Sequence, residues 1–525
     1  MLTALLYSLL SGVSFVSICS ALDVSIPSFA PADAVDVSPT LLSLSIEQDR
    51  WTDWVGTSKR NDFLFNVLNN LKERTGSSPH IRIGANSEDH TIFDPNVQFS
   101  EATFPDPSAT VPYPEAVSVK VGDGYYQVTQ FLPSNTHVIW GVNLGQNNLS
   151  AAVSEAQSIA AAFASDAIKQ AGIVLDAIEI GNEADLYRNN GARPANYNAT
   201  QYVADWNLFA PNVSTAGGVS KTSHTKFWIG GFAGSSHSSS GFSPQAIFSN
   251  GILDSNSAQL ISTFSQHHYS GSFCNGNGAL LQDLMTKSSI RGNLTIFLPD
   301  ITATRMQGLD YVLGETNSFS CHGSPGVSNT AGGALWTLDY TLFAASLGIS
   351  RIFFHEGIGY KYNLIQPITL TRSILDGSSL PDPLLAHVQP QYYAAIIISE
   401  AIGERGGVRM VEININNPEI VGYAFFEGHK LIRAVLIHLK AYLKGDTERP
   451  SIHLQLNLGG KVHHKIQVKR LNIGHADDDS GLSWGGRTFE TQTGLAEGPI
   501  SVEELKIGDG LDLRATEAAL LSFED

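Results

Sequence analysis

Eight strand-like segments alternate with helix-like ones over residues 40–403, two of those strands run into a glutamate, and beyond 403 the pattern turns to short β-rich runs. Together they predict an α/β chain: a (β/α)8 TIM barrel with a C-terminal antiparallel β-sandwich domain. A doubly wound sheet with as many units would not set two glutamates on facing strands. At 525 residues the chain exceeds what one core usually supports, so two domains are expected. The expected division is a signal peptide over 1–21, an N-terminal segment 22–39 joining the sandwich, the barrel over 40–403 and the sandwich over 404–525.

The segment over 22–39 is rich in Pro, Ala and Val and alternates like a strand at Ala34-Val35-Asp36-Val37. The first barrel strand is Leu41 to Ile46, running into Glu47; a helix follows with Phe63, Val67, Leu68 and Leu71 on one face. The second strand, His80 to Gly84, ends in Asn86-Ser87-Glu88-Asp89, and a long Pro-rich loop spans Asp94 to Pro114. The third is Val138 to Leu144, backed by an Ala-rich helix from Ala151 to Gln170. The fourth, Val174 to Ile180, breaks into Gly181-Asn182-Glu183. The fifth is Phe227 to Gly231, and the sixth, Leu260 to Phe264, leads into Gln266-His267-His268-Tyr269. The seventh is Tyr311-Val312-Leu313, with Gly314-Glu315 just past its end, and a helix Leu335 to Leu347 follows. The eighth is Arg351 to Gly357, and the helix Tyr392 to Ile402 closes the barrel. After it come Ile420 to Phe426, Arg433 to His438, Ile452 to Leu456, Ile466 to Val468, Leu511 to Arg514 and Ala518 to Phe523, the strands of a sandwich of about 120 residues.

Composition narrows the function. Hydrophobic residues are 42% and charged ones 16%, a globular balance, and the formal charge is −18. So acidic a surface repels nucleic acid and anionic membrane faces, and it disfavours a long polyanionic substrate. Leu2 to Val16 is apolar and is followed by Ser17, Ser20 and Ala21, as in a secretory signal cleaved near Ala21, although no Lys or Arg precedes it. No other segment could span a bilayer. Four sequons, at Asn148, Asn198, Asn212 and Asn293, suit a secreted extracellular glycoprotein. Without the signal only Cys274 and Cys321 remain, which form either one disulfide or two buried thiols.

Strands four and seven lie on opposing sides of an eight-stranded barrel, so Glu183 and Glu315 face each other at its mouth. Two carboxylates aimed at one point suit hydrolysis of a glycosidic bond, one as proton donor and one as nucleophile, and the resemblance given below implies Glu183 for the first and Glu315 for the second. Asn182 is placed to bond a sugar 2-hydroxyl, and Tyr269, on strand six, to hold Glu315 ionised through its hydroxyl. Glu183 must begin protonated, and the charge on Glu315 helps to keep it so. A single Asn-Glu after a strand is more often a helix cap or an ion pair; a second glutamate three strands later is what favours catalysis. No metal is expected, since His267-His268, His322 and His355-Glu356 lack the His-Glu-x-x-His spacing. His268 or His355 instead lines a sugar pocket or packs in the core. Trp51, Trp140, Trp228 and Trp336 are better read as core filling than as a stacking platform. Gly230-Gly231 and Gly332-Gly333 are packing glycines. No cofactor is expected.

Ile180-Gly181-Asn182-Glu183 and Leu313-Gly314-Glu315 resemble the retaining (β/α)8 hydrolases. Ser45-Ile46-Glu47, Arg82-Ile83-Gly84-Ala85-Asn86-Ser87-Glu88-Asp89 and Ile92-Phe93-Asp94-Pro95 are similar to glycoside hydrolase family 79, the β-glucuronidases and heparanase relatives. That resemblance implies double displacement with retention on a carbohydrate bearing terminal β-linked glucuronic acid or its 4-O-methyl form. It also implies a substrate pocket including Glu47 and Asn86. The sugar carboxylate would be held by the loop Ser318 to Gly323, through Ser320 and Gly323, and by Tyr360 or Tyr362 of the eighth strand's loop. A Cys274–Cys321 bridge would tie that loop down. Ala85 departs from the family pattern, where a second glycine is expected, and one extra methyl there touches pocket shape. Two rivals stand beside the exo-glucuronidase. An endo-acting heparanase-like hydrolase would want a basic cleft that −18 does not suggest, and a non-catalytic glycan-binding barrel would need neither glutamate.

Overall fold

The computed structural model describes residues 21–459, 465–506 and 508–524; the expected signal segment, but for Ala21, lies outside them. Eight parallel strands close a barrel: β1 Leu42–Glu47, β2 Ile81–Gly84, β3 His137–Val142, β4 Val174–Ile180, β5 Lys226–Phe232, β6 Ile261–Ser272, β7 Asp310–Ser320 and β8 Ile352–Glu356. The barrel shuts where β8 meets β1, with Ile352 opposite Leu42. Ile139, Ala177, Trp228, Val312 and Phe353, from five of these strands, form a buried cluster of their own inside it. Trp228 meets Phe353 edge to face at 5.1 Å. That packed floor closes the barrel to passage, so a sugar is received at the upper rim, beyond the C-terminal ends of the strands.

The outer helices form where apolar residues recur on one face. α1, Asp62–Thr75, buries Phe63, Val67, Leu68 and Leu71; Asn61 caps it by accepting from the N–H groups of Phe63 and Leu64, and left-handed Gly76 ends it. The Ala-rich stretch expected as one helix is two. α2, Leu149–Ala164, stops at Ser165, whose hydroxyl caps a second helix, Asp166–Ala171. α3 is Ala199–Gly217, with a capping box at Asn198. α4, Ala331–Ser346, is buried on every side, and a Cβ at Gly332 would sit 2.6 Å from Met285 Sδ, so glycine there is a packing requirement. The Pro-rich loop holds more order than expected: Ser100–Thr103 pairs with Ser118–Val121, which pairs with Thr91–Phe93. All four tryptophans weighed above are buried.

After α5, Gln391–Ile402, come β9 Val408–Glu412, β10 Ile420–Glu427, β11 Lys430–His438, β12 Ser451–Asn457, β13 Lys465–Asn472, β14 Leu511–Arg514 and β15 Glu517–Glu524. One sheet runs from Val35–Asp36 through β9, β10, β11, β15 and β13 to Ser483–Trp484; the other is Leu22–Ser25, β12 and β14. Val24, Ile26, Phe426, Leu436, Leu454 and Leu521 pack between them. Among the described residues no helix is long and apolar enough to cross a membrane.

Candidate active site

The two glutamates reach the rim differently. Glu183 follows β4 and sits in the left-handed region (φ 48°, ψ 46°), which a non-glycine residue adopts only when its surroundings hold it there. Its N–H donates to Gly231 O at 2.8 Å, and Gly181 before it also has positive φ. Glu315 was expected past the end of its strand. It lies inside β7, because this ladder continues through polar residues to Ser320, with His267 of β6 opposite Glu315 and Tyr269 opposite Asn317. Register breaks between Gln266 and His267 and between Leu313 and Thr316 turn these side chains toward the axis.

An oxygen of Glu183, an oxygen of Glu315 and a ring nitrogen of His267 come within 4.8 Å of one another. His267 Nδ1 stands 3.0 Å from Glu183 Oε1 and 3.9 Å from Glu315 Oε2. The Tyr269 hydroxyl donates to Glu315 Oε1 at 2.7 Å. Arg82, wholly buried on β2, donates to Glu315 Oε2 at 3.0 Å, Glu179 Oε2 at 2.5 Å, Asn182 Oδ1 at 2.8 Å and Ser45 Oγ at 3.0 Å. It is the hub of the rim and the main site residue that the sequence did not single out. It opens the family 79-like stretch Arg82 to Asp89, and its own signal is a charge between Ile81 and Ile83 in an apolar strand.

These contacts push the two carboxyls apart. Burial drives Glu183 well above the usual carboxylate value, and the charges of Glu315 and Asp185 add to it. Burial also pushes Glu315 up, but His355, His267, Arg82 and the Tyr269 hydroxyl outweigh it and bring the group down to about 2. Burial lowers His267 to about 4, which leaves it neutral. His355 is the reverse: burial opposes its charge, yet Glu315 and Glu47 raise it to about 9. Three donor atoms as close as those of Glu183, Glu315 and His267 could also receive a cation. Here the Arg82 guanidinium, 3.0 Å from Glu315 Oε2, and the His355 imidazolium, 3.9 Å from it, already supply positive charge beside that carboxylate.

Glu47 holds the turn after β2, accepting from the N–H groups of Asn86 at 3.3 Å and Ser87 at 3.0 Å and from the Ser87 hydroxyl. It also lies 3.5 Å from His355 Nε2. Asn86 itself is exposed. This clamp fixes Ala85 at φ 65° and ψ −155°, a conformation suited to glycine, so its methyl bears on backbone strain as well as pocket shape. Tyr360 and Tyr362 are buried; Tyr360 stacks on His322 at 3.7 Å, and His322 Nε2 pairs with Glu115 at 2.7 Å. Cys274 and Cys321 are bridged, joining the ends of β6 and β7. Cys321, His322 and Gly323 follow with positive φ, and the Gly323 N–H donates to Phe319 O at 3.1 Å. Ser320 O accepts from Phe273 N–H at 3.1 Å. His268 is turned away, packed between Phe297 and Tyr340. Asn148, Asn198 and Asn212 are exposed and Asn293 half-buried.

Comparison with known proteins agrees with this architecture. Residues 422–520 match the glycosyl hydrolase family 79 C-terminal beta domain. A β-glucuronidase of Neurospora crassa is 26% identical over 98% of this chain and 99% of its own. One from Aspergillus niger is 26% identical over 94% and 91%. The crystal structure of a 4-O-α-L-rhamnosyl-β-D-glucuronidase from Fusarium oxysporum shares the fold with a TM-score of 0.77, at 22% identity over 95% of this chain and 99% of that one. A family 51 α-L-arabinofuranosidase from Bifidobacterium longum superposes less closely, with a TM-score of 0.59 at 15% identity. The chain is a glycoside hydrolase; it resembles family 79 over residues 422–520 and the two fungal β-glucuronidases along nearly its whole length.

Proposed function

We propose that this glycoside hydrolase is a secreted, retaining exo-β-glucuronidase, releasing terminal β-linked glucuronic acid or its 4-O-methyl form from glycans or glycoconjugates. The carrying observation is the approach of Glu183 and Glu315 oxygens to within 4.8 Å. Retaining enzymes hold their carboxyls about 5–5.5 Å apart, and inverting ones roughly 6.5–9.5 Å to admit a water. Glu315, ionised, attacks the anomeric carbon while Glu183, protonated, gives its proton to the departing oxygen. The glycosyl–Glu315 ester is then hydrolysed by a water that Glu183, now a carboxylate, deprotonates. Arg82 and Tyr269 keep Glu315 ionised and oriented, and Asn182, fixed by Arg82, faces the sugar 2-hydroxyl.

The substrate class rests on the activities of the two fungal relatives. Tyr360, Tyr362 and the loop through Ser320 and Gly323 supply hydroxyls and backbone N–H groups to hold the sugar carboxylate. Burial of these groups favours a closed pocket for a chain end over an open cleft. Secretion is supported by the apolar opening segment, the disulfide and the accessible sequons.

A panel of p-nitrophenyl glycosides tests the substrate, and NMR of the first-formed anomer tests the stereochemistry. Cleavage of the β-glucuronide with β product is expected; hydrolysis of internal linkages in a polymer, or silence on every sugar, would sink the reading. Glu315→Gln should abolish turnover with an unchanged circular dichroism spectrum.

A further inference from the structure

At the opposite rim, four residues from the starts of consecutive strands meet. His80 precedes β2, His137 opens β3, Asp176 lies on β4 and His224 stands two residues before β5. A register shift that leaves Asp176 unpaired between Leu175 and Ala177 falls where they meet, with His137 opposite Val174 and Lys226 opposite Ala177. His137 Nδ1 and His224 Nε2 each donate to Asp176 Oδ1 at 2.6 Å, and His80 Nδ1 lies 3.4 Å from Asp176 Oδ2. The His80 and His137 rings stack at 4.8 Å. None of these groups takes part in the chemistry of the upper rim.

We infer that His80, His137, Asp176 and His224 form a binding site for a zinc-like divalent cation that clamps four strand starts at the base of the barrel. The donor atoms of His80, His137 and Asp176 lie within 4.8 Å of one another. Ligands around one zinc at about 2.0–2.1 Å stand roughly 3.3 Å apart, so small side-chain rotations close the set. Three imidazoles and one carboxylate are a zinc donor set rather than a calcium or magnesium one. Asp176, already contacted by His137 and His224, supplies the counter-charge. The His224 side chain is 63% exposed, which gives an ion a way in.

Cobalt(II) chloride titrated into the metal-stripped full chain should give the intense visible bands of a tetrahedral site at one equivalent. Zinc chloride should erase them and raise the melting temperature. His224→Ala, at an exposed position, should keep its fold and glycosidase turnover yet bind cobalt at least about tenfold more weakly; Asp176→Asn should lose the bands. Glu315→Gln should bind cobalt like the parent, which separates this site from the catalytic carboxyls. Absence of bands in the parent, equal binding by His224→Ala, or bands lost with Glu315→Gln would each overturn the assignment.

Discussion

The Tyr269 hydroxyl donates to Glu315 Oε1 at 2.7 Å from the neighbouring strand, where its own ladder partner is Asn317, so the group that would attack the sugar is held diagonally across the ladder. Tyr269→Phe removes a hydrogen bond to a charged group, worth about 1.5–3 kcal/mol. We expect kcat/KM on p-nitrophenyl β-glucuronide to fall roughly 10- to 100-fold and its acid limb to move to higher pH. An unshifted limb would show that the hydroxyl does not govern Glu315.

Arg82 neutralises two buried carboxylates at once. Arg82→Met takes this partner from both carboxylates, leaving Glu315 with Tyr269 and His355, and breaking a buried pair costs about 3–5 kcal/mol. Urea unfolding should show that loss; a variant as stable as the parent would mean the carboxylates find other partners.

The pH profile of kcat/KM follows from opposite shifts on the two glutamates. On the proposed mechanism activity needs Glu315 ionised, so the acid limb is expected near pH 2; it needs Glu183 protonated, so the alkaline limb is expected above the ordinary glutamate value. Glu183→Gln, assayed on a 2,4-dinitrophenyl glycoside whose leaving group needs no proton, should lose the alkaline limb.

His355 rises to about 9 in the fold from an ordinary 6.5. Its stabilisation is complete below pH 6.5 and is lost as pH climbs through 9, a change of order 3 kcal/mol. Melting temperatures should drop across that window in the parent and drop less in His355→Gln.

The Cys274–Cys321 bridge closes a span of 47 residues. Chain entropy assigns such a loop about 4 kcal/mol. The double serine variant should melt lower and show a raised KM, since the freed loop carries His322 and borders Tyr360.

Much of this architecture was legible because parallel strands buried on both faces are continuous apolar runs, and Val174 to Ile180 ends where its pattern ends. The sixth and seventh strands defeat that signal. Their upper halves carry His267, Tyr269, Glu315 and Asn317, polar residues that look like loop in one dimension yet line a barrel mouth in three. Arg82 was hidden for the same reason: alternation with isoleucine suggests a wet face, whereas here the polar face is the interior of the rim. Whether the two cysteines are joined depends on where the ends of β6 and β7 lie, and spacing along the chain does not encode that.

Leu22–Ser25 runs alongside Ser451–Asn457, and the Ser28 hydroxyl donates to Leu458 O across 430 residues. A fragment cut at residue 404 would therefore expose a raw edge and part of its core to solvent, and is expected to precipitate rather than fold. During synthesis the early strand must wait, unpaired, until nearly the whole polypeptide has emerged. Maturation of this hydrolase then becomes a late, all-or-none event, with chaperone protection needed for that first stretch.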